Sequence, residues 1–123
     1  MIQLSELVSR GNYLVVDFWS TWSGSSLLEI EEKKELYRKY YDIGIQFVSV
    51  SLDNNKVKWM KTIEESGMPW IQLIDAKGPR GKVASDYLIT GLPVKFLLDP
   101  GGDLITKLQT VDELEEELKM IFD

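Results

Sequence analysis

Apolar residues follow two different rhythms along this chain, and the switches between them mark its elements. Tyr13-Leu14-Val15-Val16-Asp17-Phe18-Trp19 is almost continuously apolar, the pattern of a central parallel strand covered on both faces. Gly11-Asn12 ahead of it is a turn signal, and residues 4–8 read as one short helical turn. Over residues 26–41 the period becomes helical, with Leu27, Ile30, Tyr37, Tyr40 and Tyr41 roughly on one side. Glu29 with Lys33, and Glu35 with Lys39, have the spacing of favourable i,i+4 pairs, and Gly44 is expected to close the helix. Residues 45–52 alternate and are rich in β-branched side chains, which predicts a second strand. Asp53-Asn54-Asn55 offers N-cap candidates for a helix over residues 56–65, ended by Gly67 and Pro69.

The second half is patterned as clearly. Residues 70–74 read as a short extended segment and residues 82–87 as a short helix. Residues 94–98 form another apolar strand, which Asp99-Pro100-Gly101-Gly102 would fold back onto residues 104–108 as an antiparallel hairpin. Thr110 and Glu113 have the spacing of a capping box, followed by a stripe of Val111, Leu114, Leu118 and Ile121. Glu113, Glu115, Glu116 and Glu117 read as the solvated face of that last helix. A βαβ unit followed by ββα predicts an α/β fold, with a central mixed sheet flanked by helices. Without repeats or a linker, residues 1–123 are expected to form a single domain.

Composition narrows the chemistry. A chain of 123 residues can bury a core without disulfides or metal. A net charge of −6 weighs against a nucleic-acid partner. No run of about 18 apolar residues is present to span a membrane. Met1-Ile2-Gln3-Leu4-Ser5-Glu6 lacks the charged and then apolar regions of a signal peptide, which fits a cytoplasmic protein or one cut after its signal. The absence of histidine removes Ser-His-Asp hydrolysis, Cys-His proteolysis and the histidine zinc motifs. No Ser-x-x-Lys spacing occurs. Gly78-Pro79-Arg80-Gly81-Lys82 fails as a phosphate loop, because Ala76 and Val83 stand where a glycine and a hydroxyl belong. No cofactor and no metal site is indicated.

Two stretches far apart carry the chemical signal. Phe18-Trp19-Ser20-Thr21-Trp22-Ser23-Gly24-Ser25-Ser26 resembles the thioredoxin motif Phe-Trp-Ala-x-Trp-Cys-Gly-Pro-Cys, with serine at both cysteine positions. Tyr87-Leu88-Ile89-Thr90-Gly91-Leu92-Pro93-Val94-Lys95-Phe96-Leu97-Leu98-Asp99 resembles Tyr-x-Val-x-Gly-Ile-Pro-Thr-x-Phe-Leu-Ile-Asp of the TlpA/ResA-like thiol-disulfide oxidoreductases. Glu29 falls where that branch often has a glutamate after the second cysteine. The resemblance covers nearly the whole chain and implies a thioredoxin-like fold. It also implies a cis Pro93 facing the site, Asp17 as a buried proton carrier, and a client-binding groove at Trp22 and Leu92-Pro93, with Gly24 and Ser25 beside it. A protein or peptide client and a periplasmic or cell-envelope location follow from the same resemblance. The departures are Ser25 and Glu31 in place of prolines, and the absence of the branch's usual strands before Leu4.

The family's chemistry needs sulfur. A cysteine at a helix mouth has its thiolate stabilised by unpaired N–H groups and the helix dipole, its pKa falling from about 8.5 to roughly 3.5–7.5. The thiolate attacks a client disulfide, and a second cysteine one turn on resolves the mixed disulfide. Serine stays neutral there and forms no S–S bond, so Ser23 and Ser26 read as helix caps rather than nucleophiles. Asp17 is costly to bury unpaired, so hydrogen bonds or a lysine are expected to hold it. Trp19, Trp59 and Trp70 read as core and Trp22 as partly exposed. Two functions remain: a natural pseudo-oxidoreductase that kept the groove, or an active oxidoreductase whose cysteines were replaced by serine. A peroxidase-like relative needs cysteine and fails the same way.

Overall fold

The computed structural model describes residues 4–75 and 77–123. Met1, Ile2 and Gln3 of the amino-terminal reading, and Ala76 of the rejected phosphate loop, lie outside them. The strands are β1 (Tyr13–Trp19), β2 (Ile45–Ser51), β3 (Ile71–Ile74), β4 (Val94–Leu98) and β5 (Leu104–Leu108). They form one mixed sheet in the order β3-β2-β1-β4-β5. β1 runs parallel to β2 and antiparallel to β4, so it is the central strand, and every residue after Tyr13 is buried. The helices are α1 (Gly24–Leu28), α2 (Ile30–Tyr40), α3 (Lys56–Ser66), α4 (Lys82–Asp86) and α5 (Val111–Phe122), with a 3₁₀ turn at Leu4–Glu6. This is the α/β arrangement expected from the pattern, a central mixed sheet flanked by helices.

Alternation along β1 explains its continuous apolar run. Val15 and Trp19 enter one core with Leu36, Tyr40, Leu114 and Leu118, under α2 and α5. Leu14, Val16 and Phe18 enter the other with Leu7, Ala84 and Phe96, under α4 and the amino-terminal turn. Successive side chains point to opposite faces, so a strand covered twice is apolar throughout.

The local signals resolve in detail. Thr110 and Glu113 form the reciprocal capping box of α5. Gly67, in the left-handed region at φ 68°, ends α3. Several expectations are corrected. The helix expected over residues 26–41 is broken at Glu29, whose φ of −98° and ψ of 3° separate α1 from α2. Tyr41 rather than Gly44 caps α2, and both Leu27 and Tyr41 are exposed. Of the three N-cap candidates for α3, Asn55 serves as expected, its side chain accepting from the Lys58 N–H, while Asp53 is used elsewhere. Neither expected i,i+4 pair forms: Lys33 reaches Asp17, Glu29 reaches Lys95, and Lys39 reaches Glu115. Lys33 and Glu29 turn to buried partners and Lys39 to a partner on the surface of α5, each in place of an i,i+4 pair worth roughly a few tenths of a kcal/mol.

Candidate functional site

The carboxyl ends of β1, β2 and β3 lie at one edge of the sheet, because these strands are mutually parallel. β4 is antiparallel and pairs Val94 with Phe18, so Pro93 enters the sheet at that same edge. The segment leaving β1 and the segment entering β4 are thereby neighbours, although about seventy residues separate them in sequence (a consequence of strand order, as crossover folds allow).

Ser20 and Thr21 leave β1 buried, and Asp53 holds Thr21 in place. The Asp53 carboxylate accepts from the Thr21 N–H at 3.0 and 3.1 Å and from the Thr21 hydroxyl at 2.6 Å. The Ser51 hydroxyl also donates to it, and the Leu52 N–H donates to the Trp19 carbonyl at 3.0 Å. With its trajectory fixed, the chain presents Trp22 to solvent, 57% exposed, and enters α1. Ser23 caps α1, its Oγ accepting from the Ser26 N–H at 3.3 Å. Gly24 and Ser25 are exposed on the first turn.

Ser26 differs from expectation. It is fully buried and its Oγ has no hydrogen-bond partner among the described residues, so it caps nothing. The site holds a side chain of this size without offering the hydroxyl an acceptor or donor. Opposite, the Leu92–Pro93 peptide is cis, and both residues are half-buried. Phe18, Tyr87 and Phe96 pack together beneath this loop, with ring centroids 5.0–5.7 Å apart. Leu88 stands out of the loop, 75% exposed and at a φ of 52°, which a leucine adopts only at a cost.

Beneath α1 and α2 lies a buried charge network on the core face that holds Trp19. Lys33 Nζ lies 2.6 Å from Asp17 Oδ2, and the Ser49 hydroxyl donates to the same oxygen at 2.8 Å. Trp70 Nε1 donates in turn to Ser49 Oγ at 2.7 Å. Lys95, fully buried, sits 3.5 Å from Asp17 Oδ1 and pairs with Glu29. Burial alone would raise the Asp17 pKa, but Lys33, Lys95 and the hydrogen bonds outweigh it and hold the carboxyl below its ordinary value. For Glu29 burial dominates and its pKa is raised, Lys95 opposing only in part. Asp17 is therefore an ion held by lysine and hydroxyl, and a weak base.

The structure brings Ser23, Ser26, Trp22, Gly24, Ser25, Leu92 and Pro93 to one sheet edge, with Asp17 behind them in β1. Sequence reasoning missed Lys33, Lys95 and Asp53 as partners of that edge. Lys95 had a signal, being a charge inside an apolar strand just as Asp17 is. Among the described residues no cluster of three or more metal-ligating side chains occurs, and no helix is long and apolar enough to cross a membrane.

A family model described as Thioredoxin-like matches residues 11–104. The thiol-disulfide oxidoreductase ResA of Bacillus thuringiensis is 30% identical over 123 residues, covering 98% of this chain and 68% of its own. Among solved structures, a thiol-disulfide oxidoreductase from Bacteroides fragilis superposes with a TM-score of 0.84 at 28% identity, covering 92% of this chain and 83% of its own. The thioredoxin domain of a thiol-disulfide oxidoreductase from Bacteroides vulgatus gives a TM-score of 0.86 at 28% identity, over 99% and 86% of the two chains.

Proposed function

This chain belongs to the thioredoxin-like family, in its thiol-disulfide oxidoreductase branch, and from that premise we propose that it is a redox-silent member which binds a protein client. The observation that carries the reading is the pair at the helix mouth. Ser23 caps α1 and Ser26 is buried one turn on, in a chain without cysteine. A hydroxyl is a far weaker acid than a thiol, and the helix terminus that ionises a cysteine leaves serine neutral. No S–S bond can form with a client cystine, so electron exchange is closed.

Recognition does not need sulfur. Trp22 offers an exposed apolar face, and in the segment before Pro93 the backbone of Thr90, Gly91 and Leu92 makes no backbone hydrogen bond among the described residues. An extended client pairing with that backbone would be held as an added strand. Asp17, fixed as an ion by Lys33 and Lys95, has a supporting role in this reading. A single domain over residues 1–123 and a cell-envelope location belong to the same proposal.

A second reading has one observation in its favour. Among the described residues the buried Ser26 hydroxyl has no partner, as expected where serine occupies a slot shaped for sulfur. On that reading the protein is an active thiol-disulfide oxidoreductase whose cysteines were replaced. Restoring Ser23→Cys and Ser26→Cys together tests between them, with insulin-disulfide reduction as the assay. Turnover well above the no-protein control supports the replaced-cysteine reading. A stable, folded double variant without turnover supports a groove specialised for binding.

A further inference from the structure

The surroundings of the helix mouth carry a charge asymmetry that the chain as a whole does not. The protein is acidic, at −6. Yet residues 18–28 and residues 87–94 contain no charged side chain at all. Next to them along the sheet edge, in the order of the strands, come the segments that follow β2 and β3. Lys56 and Lys58 open α3 directly after β2, and Lys77 and Arg80 sit in the turn after β3. All four are exposed, and none lies within ion-pair distance of a carboxylate among the described residues.

These segments are joined physically to the motif. The Asp53 carboxylate is tied to Thr21, which places the start of α3 against the loop carrying Trp22. The turn after β3 packs on the same backbone: a Cβ at Gly78, where φ is 59°, would lie 2.7 Å from the Leu52 carbonyl oxygen. Asp75 N–H donates to the Ser51 carbonyl at 2.8 Å, and Gly78 N–H to the Asp75 carbonyl at 2.8 Å. Of the acids nearby, Asp53 is buried in its clamp and Asp86 is paired with Lys82. Among the described residues Asp75 accepts only the Lys77 N–H, and so subtracts one charge from the four cations without reversing their sign. Glu64 and Glu65 lie toward the other end of α3, about 9–14 Å from Lys56 and Lys58 along its axis.

Resting on the client-binding reading, we infer that the client is an extended acidic segment, its backbone at Pro93 and its carboxylates over Lys56, Lys58, Lys77 and Arg80. The uncharged half of the edge takes the apolar side chains, beside Trp22. The cationic half selects the sign of the client's charge and speeds encounter, while the acidic remainder of the surface repels the same client elsewhere.

The test uses the protein as it is and fluorescence anisotropy of labelled ten-residue peptides. One peptide alternates valine with aspartate or glutamate, one has asparagine and glutamine at those positions, and one has lysine and arginine. An oligothymidine of similar charge is the fourth probe. The acidic peptide is expected to bind best, and to weaken as NaCl rises from about 0.05 to 0.5 M. Lys56→Gln and Lys58→Gln are each expected to weaken it roughly two- to five-fold and to flatten the salt dependence. Lys119→Gln, near the opposite end of the sheet, is expected to change nothing. Equal binding of the neutral and acidic peptides, or no effect of the two lysine variants, overturns the inference while leaving the groove intact. Tighter binding of the oligothymidine than of the acidic peptide also overturns it. Binding of no peptide by the unaltered protein sinks the client-binding reading itself.

Discussion

Removing the hydroxyl of Ser26 is expected to stabilise this protein, while the same change at Ser23 destabilises it. The Ser26 Oγ is buried with no partner among the described residues. A hydroxyl desolvated without compensation costs about 1–3 kcal/mol. The void left by Ser26→Ala is about 10 Å³, worth only about 0.2 kcal/mol against the variant. Alanine is also the better helix former, by about 0.5 kcal/mol, which must be separated from the burial effect. Ser25→Ala does so, being exposed on the same turn of α1. The net gain at Ser26, beyond that at Ser25, is then about 1–3 kcal/mol. At this chain length 1 kcal/mol corresponds to about 3–6 °C in Tm. Ser23→Ala loses the side-chain cap on the Ser26 N–H and is expected to cost about 1 kcal/mol. Urea unfolding followed by tryptophan fluorescence, with thermal melts alongside, reads all three variants. A Ser26→Ala protein no more stable than Ser25→Ala would refute the reasoning, because it would mean that the hydroxyl is satisfied.

Three further outcomes follow from the same geometry. Leu88 holds a left-handed φ of 52° while largely exposed, so Leu88→Gly is expected to raise stability by roughly 0.5–1 kcal/mol in urea titrations, the relief exceeding glycine's entropic cost. Lys95→Met removes the fully buried cation between Glu29 and Asp17 and is expected to cost about 3–5 kcal/mol, with a smaller loss under mildly acid conditions where Glu29 can take up a proton. The pH dependence has two limbs of opposite sign. Asp17 is held below its ordinary 3.8, so its stabilising contribution is complete above that value and is lost as pH falls through the lower folded value. Glu29 is raised above its ordinary 4.5, so its ionised form weakens the fold and acidification through the raised value relieves the strain. Measured against Glu29→Gln, the unaltered protein is expected to gain stability on mild acidification, and measured against Asp17→Asn it is expected to lose more at lower pH. An acid limb unchanged in Asp17→Asn would contradict the assignment.

The parts of the fold legible in the sequence are those set by local patterning. β1 reads from its apolar run, the hairpin from Asp99-Pro100-Gly101-Gly102, and α5 from the Thr110–Glu113 spacing, because each signal lies within a few residues of its structural consequence. The placement of the motif opposite Pro93 was legible only through the family resemblance, since no local rule sets which strands pair. The charge network was not legible. Glu29 and Lys33 have the spacing of a surface pair, and only burial decides that each turns inward to a different partner. Asp53 sits where an N-cap is expected, and the competing demand of the buried Thr21 backbone claims it instead. Ser26 looked like a cap for the same reason: the sequence names a hydroxyl at a helix start but not the absence of anything for it to bond.

On the proposed function, the scaffold binds a client at the sheet edge and exchanges no electrons with it. Titrating a disulfide-bonded peptide into the protein, with tryptophan emission and released thiol recorded together, tests both halves at once. Saturable quenching that disappears in Trp22→Phe, with thiol release no higher than in buffer, is the predicted result. Thiol release by the unaltered protein, or a flat emission signal at every peptide concentration, would contradict it.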